Sequence, residues 1–378
     1  MNLGEGKKLH EEKVNSLLDD LKEVESKEVI IGILVSKSTK KLKRLLPHLV
    51  DLEMNCKSGG LFAFSLNGID KGNLSIKGYS YCRESKTWNQ LIVSMPTVII
   101  NRISLNHGWE SFFKETIGCK MINNFTFNKW EMYEWLSKKP ELKKHLPLTE
   151  LFHSAQDLPG LIGKYKEGYV KPINGSYGKG IYKISKKAES FKVATNKDLF
   201  YLNEEELVMY FKEKCKKRTY IFQEVIDLYI GGRPVDMRFI LMKNESMEWQ
   251  EVGLLARKGL KGGIVSNEGV TKHGNSALQN IFSLPKQKAI ELRKKITEIS
   301  IEAASAMEEL RGINSNLGNV GIDFGIDKNQ HLWIIEINHR NPRHRMAIDA
   351  GQEGIYFYSN KLLIDYAYKL AGFSTSSQ

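Results

Sequence analysis

The chain is 378 residues long, with 41% hydrophobic residues, 26% charged residues and a formal net charge of +12. At about 100–200 residues per domain this length calls for two or three domains, and the composition excludes disordered and fibrous classes. No run reaches the roughly 18 apolar residues of a membrane span, and the N-terminus has no apolar segment of signal type, so a cytoplasmic location is expected. Cys56, Cys82, Cys119 and Cys215 lack CxxC or CxxH spacing, which argues against both a zinc site and a disulfide framework. The positive charge invites a polyanion, but much of it lies in helical patterns such as Lys212–Arg218, and no basic motif is interleaved with aromatics; nucleic acid is not the expected partner.

In chain order, residues 1–28 are polar and helix-prone and read as an N-terminal helical arm. Val29–Val35 is a strand apolar on both faces, as in a covered sheet, and Leu42–Leu52 suits a helix after it. The basic run Ser38–Arg44 reads either as a solvated helix start or as an anion-binding patch. A second apolar run, Thr97–Ile100, completes an α/β domain over residues 29–125. Residues 128–139 carry Trp130, Met132, Tyr133, Trp135 and Leu136 in a helical pattern ended by Pro140. A strand, a glycine loop and a second strand occupy 168–185, Asn203-Glu-Glu-Glu206 opens a helix, and Thr219–Gln223 is a strand. Further strands follow residue 234, then a long helix at about 286–310 and a last one around 360–371.

Two segments carry chemistry. Residues 318–326 and 331–338 read as strands joined by Asp327-Lys-Asn-Gln330, whose Asp and Asn suit a turn. Side chains two apart on a strand share a face, so Glu336 and Asn338 project together while Ile335 and Ile337 face the core, with Asp323 across the turn. Three converging oxygen ligands fit a hard cation such as magnesium, with manganese the alternative; two exposed acids on a surface hairpin is the competing reading. The other segment, Tyr169–Ile184, places Gly175, Gly178 and Gly180 between strands, where backbone N–H groups can approach phosphates. It does not open a helix as a Walker A loop does, and Lys171 precedes the glycines with no HRDxxxxN segment downstream, unlike a protein kinase. Gln223 ends its strand where a connecting segment can meet an adenine. Asp236 and Arg238 share a strand face, where Arg238 fits a phosphate clamp or, with Asp236, an ordinary surface pair.

The ordered set of Lys171 before a glycine hairpin, Gln223-Glu224, Asp236-Met-Arg238, Asn267, Asp323 and Glu336-Ile-Asn338 resembles the ATP-grasp superfamily. With Asn128–Leu136, Leu146–Thr149 and Arg233–Arg238, it is most similar to the endospore-coat-associated YheC/YheD branch, over roughly residues 95–370. The resemblance implies ATP clamped between two α+β subdomains, residues 126–227 and 228–374, after a pre-ATP-grasp α/β domain. It implies that Lys171 contacts the phosphates under a lid holding Gly175, Ser176, Gly178 and Gly180. Gln223, Glu224 and Val225 would line the adenine pocket, Asp227 would reach the ribose, and Asp323, Glu336 and Asn338 would hold magnesium. Arg238, Arg257 and Asn267 match positions facing phosphates or an activated acyl group.

The implied activity is ligation of a carboxylate (an amino acid, peptide or envelope precursor) to an amine or thiol, through an acyl phosphate. A spore-coat component that keeps the fold without turnover is the alternative, with coat proteins or further copies of the chain as partners. Two features depart from the family pattern. His273-Gly274 stands where paired glycines are usual, and the tail Asn338–Arg345 is unusually basic, with Arg340 and Arg343 placed either to bind an anionic substrate or to cover an acidic surface.

Overall fold

The computed structural model describes residues 29–57, 60–175, 178–266, 270–340, 342 and 344–373. The expected N-terminal arm, Ser176, Asn267 and Arg343 lie outside the described residues. The chain divides into two compact units, one taking in the chain up to Ile103, Glu115–Ile122 and the segment from Ala367, the other Ser104–Lys114 and Asn123–Tyr366.

The first unit is built on a six-stranded sheet of β1 (Ile31–Ser36), β2 (Leu61–Asp70), β3 (Ser75–Cys82), β4 (Thr87–Ser94), β5 (Val98–Asn101) and β6 (Met121–Ile122), in the order β4-β3-β2-β1-β5-β6. All six residues of β1 are buried and it runs parallel to β2 and β5, as its uninterrupted apolar run requires. The Ser38 hydroxyl accepts from the Lys41 N–H and caps the helix Thr39–Leu45, with Lys40, Lys41, Lys43 and Arg44 exposed around buried Leu42. The basic run is thus a solvated helix start. The antiparallel pair β3–β4 does not follow from the apolar pattern, because β4 is exposed on both faces.

The second unit carries two sheets. One contains β7 (Thr149–Phe152), β8 (Glu167–Pro172), β9 (Tyr182–Lys187), β10 (Ser190–Ala194), β11 (Leu199–Leu202) and β12 (Tyr220–Gln223), in the order β11-β10-β9-β8-β12-β7. Its core of Val170, Ile184, Val193 and Phe222 packs on Leu158 and Ile162 of the helix Asp157–Tyr165 and on Leu207 and Phe211 of the helix Glu204–Cys215. Asn203 and Glu206 form a capping box at the start of the latter. At Gly168 a Cβ would fall 2.0 Å from the Phe222 ring, so only glycine lets β8 and β12 close.

The other sheet comprises β13 (Tyr229–Ile230), β14 (Arg233–Lys243), β15 (Trp249–Lys258), β16 (Val270–His273), β17 (Asn319–Ile326) and β18 (Leu332–Asn338). β14 and β17 are buried nearly throughout, and the helix Lys286–Arg311 lays Ile296, Ala303 and Met307 into the same core. Two boundaries differ from the sequence reading. The helix after Asn128 ends at Leu136, and Pro140 instead opens a short helix, Pro140–Lys143, where a missing N–H costs nothing. The last helix starts seven residues early, at Glu353 rather than about 360.

Candidate active site

The hairpin β17–β18 forms as its turn residues dictate. The Asp327 carboxylate accepts from the Asn329 and His331 N–H groups at 2.9 Å and from Trp333 Nε1 at 3.0 Å, while Gln330 takes the left-handed φ of 61°. Asp323 then lies directly opposite Glu336, and Asn338 Nδ2 donates to Asp323 Oδ2 at 3.1 Å, so the three residues adjoin on one hairpin. The expectation that Ile335 and Ile337 both face the core needs correcting. The register shifts between Asp323 and Phe324, leaving Ile335 as an extra residue; Ile334 and Ile337 are buried and Ile335 is not. This bulge reverses the alternation at the point where Glu336 and Asn338 turn outward.

Strand pairing brings two arginines to the same place. Arg238 on β14 lies opposite Asp323 on β17, and Asp236 lies opposite Arg257 on β15. Arg238 Nε and Nη2 form a forked ion pair with the Asp323 carboxylate, the second contact at 3.0 Å. Arg257 reaches Asp236 through Nε at 2.6 Å and Nη2 at 2.5 Å, and Asp323 Oδ1 through Nη2 at 3.0 Å. Two guanidiniums and two carboxylates, all buried, make a charge-balanced chain, so Asp236 and Arg238 are not an ordinary surface pair. Burial alone would raise the Asp323 carboxyl; Arg238 and Arg257 outweigh it and hold the group below the usual carboxylate range. Burial likewise works against charge on Arg257, yet Asp236 and Asp323 keep its guanidinium firmly protonated. Gly321 makes room for this chain, since a Cβ there would fall 2.9 Å from Arg238 Cδ and 3.2 Å from Pro342 Cβ.

Lys171, on β8, donates to Gln223 Oε1 at 2.5 Å, and Gln223 Nε2 donates to the Thr149 hydroxyl at 3.0 Å, which fixes the amide. Burial drops the Lys171 ammonium to about 8, with Glu336 favouring its charge and Lys129 opposing it. Lys129 is the site residue that sequence reasoning passed over. Its Nζ lies 3.1 Å from Glu336 Oε1 and 3.2 Å from the Gly175 carbonyl, and its N–H donates to the Ile173 carbonyl at 3.2 Å. The signal available was its place just after the Asn128 cap; that the glycine hairpin folds back onto this helix start is a tertiary fact. Gly178 and Gly180 hold φ of 68° and 77°, the left-handed region that favours glycine.

The remaining expected residues are more dispersed. The Glu224 N–H donates to the Leu148 carbonyl at 2.9 Å and its Oε1 accepts from the Leu148 N–H at 2.7 Å, so this carboxylate holds the entry to β7. Val225 is half-buried, and exposed Asp227 accepts from the Tyr229 N–H at 3.3 Å. Arg340 donates through Nη1 to the Ser104 hydroxyl, and burial lowers its pKa against the pull of Glu336. In the tail beyond Asn338, His339 and His344 are buried, whereas Arg345 is exposed. His339 stacks on Phe127 at 3.8 Å, and burial, with Arg340 beside it, lowers it to about 3. It stays neutral and structural.

The donor chemistry fits magnesium. Glu336 is partly exposed, and Asn338, having spent its N–H on Asp323, keeps its carbonyl oxygen; a hard cation needs only one or two such protein oxygens beside substrate phosphates. Asp323, expected beside them as a third ligand, instead has both carboxylate oxygens paired with Arg238 and Arg257.

Two α+β sheets, one bearing a lysine before a glycine hairpin and the other a carboxylate and amide hairpin, define the ATP-grasp class. The chain belongs to the YheC/D like ATP-grasp family, whose model matches residues 118–370. It is 27% identical over 303 residues to the endospore coat-associated protein YheD of Bacillus subtilis, covering 75% of this chain and 65% of that protein. It is 24% identical over 294 residues to YheC of the same organism, covering 73% and 78%. The chain thus spans under two thirds of the length of YheD. Among solved structures, D-alanyl-alanine synthetase A from Vibrio cholerae superposes with a TM-score of 0.55 at 12% identity, over 92% of this chain and 100% of that one; this likeness is of fold. Among the described residues no helix is long and apolar enough to cross a membrane.

Proposed function

We propose that the chain is an ATP-dependent ligase that converts a carboxylate to an acyl phosphate and passes the acyl group to an amine or thiol, releasing ADP and phosphate. The observation that carries this reading is the meeting of Lys171, Lys129, Glu336, Asn338 and the Arg238–Asp323–Arg257 chain within one unit of the fold. Phosphoryl transfer is catalysed chiefly by positioning and charge stabilisation, and these groups supply both without a covalent nucleophile.

Lys171 and Lys129 pair with the phosphates, and backbone N–H groups of the glycine hairpin approach them. Glu336 and Asn338 would hold magnesium, which when bound neutralises phosphate charge. Gln223, Glu224, Val225 and Asp227 face the nucleoside. Arg238 and Arg257, fixed by Asp236 and Asp323, present guanidinium charge to the transferring phosphoryl group and the carboxylate it joins; Arg340 serves the acyl side, to which Asn267 is assigned by the family resemblance alone. A buried neutral His339 does not serve as base for the attacking amine. The relatives' names place them with the endospore coat, and we take that as the setting in which this chain acts.

ADP release, screened with magnesium and manganese across amino acids, peptides and amine or thiol acceptors with mass analysis of products, tests the reading. Turnover that needs both a carboxylate and an acceptor is expected. Its absence across a broad panel would favour a coat component that keeps the fold without catalysis.

A further inference from the structure

The hairpin that carries Glu336 and Asn338 is tied at both ends. At the turn, the Asp327 carboxylate gathers the N–H groups of Asn329 and His331. At the open end the pairing of β17 with β18 stops at Gly321 opposite Asn338, so Asn338 is the last residue of its ladder, where strands open most easily. A residue from far outside the hairpin holds this end. The buried Asn123 side chain donates through Nδ2 to the Asn319 carbonyl at 2.9 Å and to the carbonyl of His339, the residue after Asn338. Its Oδ1 accepts from the Gly318 N–H at 2.9 Å. One amide thus spans the mouth of the hairpin, in contact with β17 and with the chain leaving β18. Only a side-chain amide can donate to two carbonyls and accept from an N–H in this way, and asparagine also tolerates the left-handed φ of 58° found here.

From this geometry we infer that Asn123 is a positioning residue for the magnesium ligands. By holding the His339 carbonyl beside β17 it fixes the backbone of Asn338, whose side-chain nitrogen is held in turn by Asp323 at 3.1 Å. The inference rests on the proposed function, which assigns the metal to Glu336 and Asn338. With its backbone and its amide nitrogen both restrained, Asn338 presents its remaining carbonyl oxygen from a fixed place. Partners that orient metal ligands in this way typically contribute roughly ten- to a hundredfold to metal affinity. The neighbouring Asn124 supplies the contrast. Its N–H donates to the Asn316 carbonyl at 3.1 Å, its Oδ1 accepts from the Asn316 N–H at 2.9 Å, and its Nδ2 donates to the Asn314 carbonyl at 2.7 Å. These bonds reach the segment that enters β17 and leave β18 alone, so Asn124 is a structural tie in the same neighbourhood.

The test is the calorimetric affinity of the full chain for ATP, measured once with excess magnesium chloride and once in EDTA. The natural chain should bind more tightly with magnesium. Two variants remove the clamp in different ways. Asn123→Gly suits the left-handed backbone and leaves His339 stacked on Phe127, whereas Asn123→Asp keeps the acceptor for Gly318 and loses only the donor. Each should weaken binding about tenfold with magnesium and by less than about twofold in EDTA. Asn124→Ala should lower the melting temperature and leave both affinities unchanged. Folded Asn123 variants that keep the full magnesium response, a loss of equal size in EDTA, the same loss in Asn124→Ala, or failure of both Asn123 variants to fold would each overturn the inference. A natural chain whose ATP affinity ignores magnesium would instead refute the assignment of the metal to this hairpin, and the inference with it.

Discussion

Lys129 and Glu336, 207 residues apart in sequence, form an ion pair of 3.1 Å, and the same ammonium reaches the Gly175 carbonyl. One cation thereby ties the start of the glycine hairpin to the outward-facing carboxylate of β18. Both partners are partly exposed, so the pair contributes at most about 1 kcal/mol to stability. Its larger consequence is for ligand binding. Lys129→Met should raise the calorimetric Kd for Mg-ATP about ten- to a hundredfold, the loss of one charge-assisted contact, while the melting temperature moves by no more than a few degrees. An unchanged Kd would remove Lys129 from the site.

Lys171 gives a pH dependence with a definite sign. Its ammonium is lowered to about 8 in the free protein, because burial disfavours the charge. Phosphate binding requires the charged form. Affinity for ATP should therefore be flat below pH 8 and weaken as pH rises above it, approaching tenfold per unit, with the bound state raising the pKa. The linkage to folding has the opposite sense: between about 8 and the ordinary lysine value the unfolded chain holds the extra proton, so stability rises with pH. Calorimetry from pH 7 to 9.5 checks the first statement, and Lys171→Met should bind weakly with no such slope. A slope that survives in the variant would assign it elsewhere.

The buried chain Asp236–Arg257–Asp323–Arg238 predicts strong coupling. Asp236→Asn or Arg257→Gln alone strands a buried partner and should cost about 3–5 kcal/mol in urea unfolding. The double substitution should cost less than the sum, with a coupling of about 1–3 kcal/mol. Strict additivity would show that the contacts carry no joint energy.

Much of this site is legible in the residues, for local reasons. The Asp327 turn, the Asn203 cap and the left-handed Gly178 and Gly180 follow from side-chain and backbone preferences that act within a few positions. What escaped depends on partners distant in sequence. The bulge at Ile335 comes from register between strands, and a period-two reading cannot anticipate a shift in that period. Lys129 reads as the first residue of a helix until β8 and β18 are placed around it. The strand β4 hides because alternation marks only half-buried strands, and its two faces are both open. Asp236 and Arg238 suggested a local pair, whereas cross-strand neighbours took both.

The proposed function stands on activation of a carboxylate by phosphorylation in this site. The most direct measurement is the mass of the inorganic phosphate released when the chain turns over amino acids and peptides labelled with oxygen-18 in the carboxyl group, in the presence of Mg-ATP and an acceptor. Formation and breakdown of an acyl phosphate must carry one carboxyl oxygen into the phosphate, so the account predicts one heavy atom per phosphate, equal in amount to the ADP formed. Product and ADP accumulating with unlabelled phosphate would contradict it.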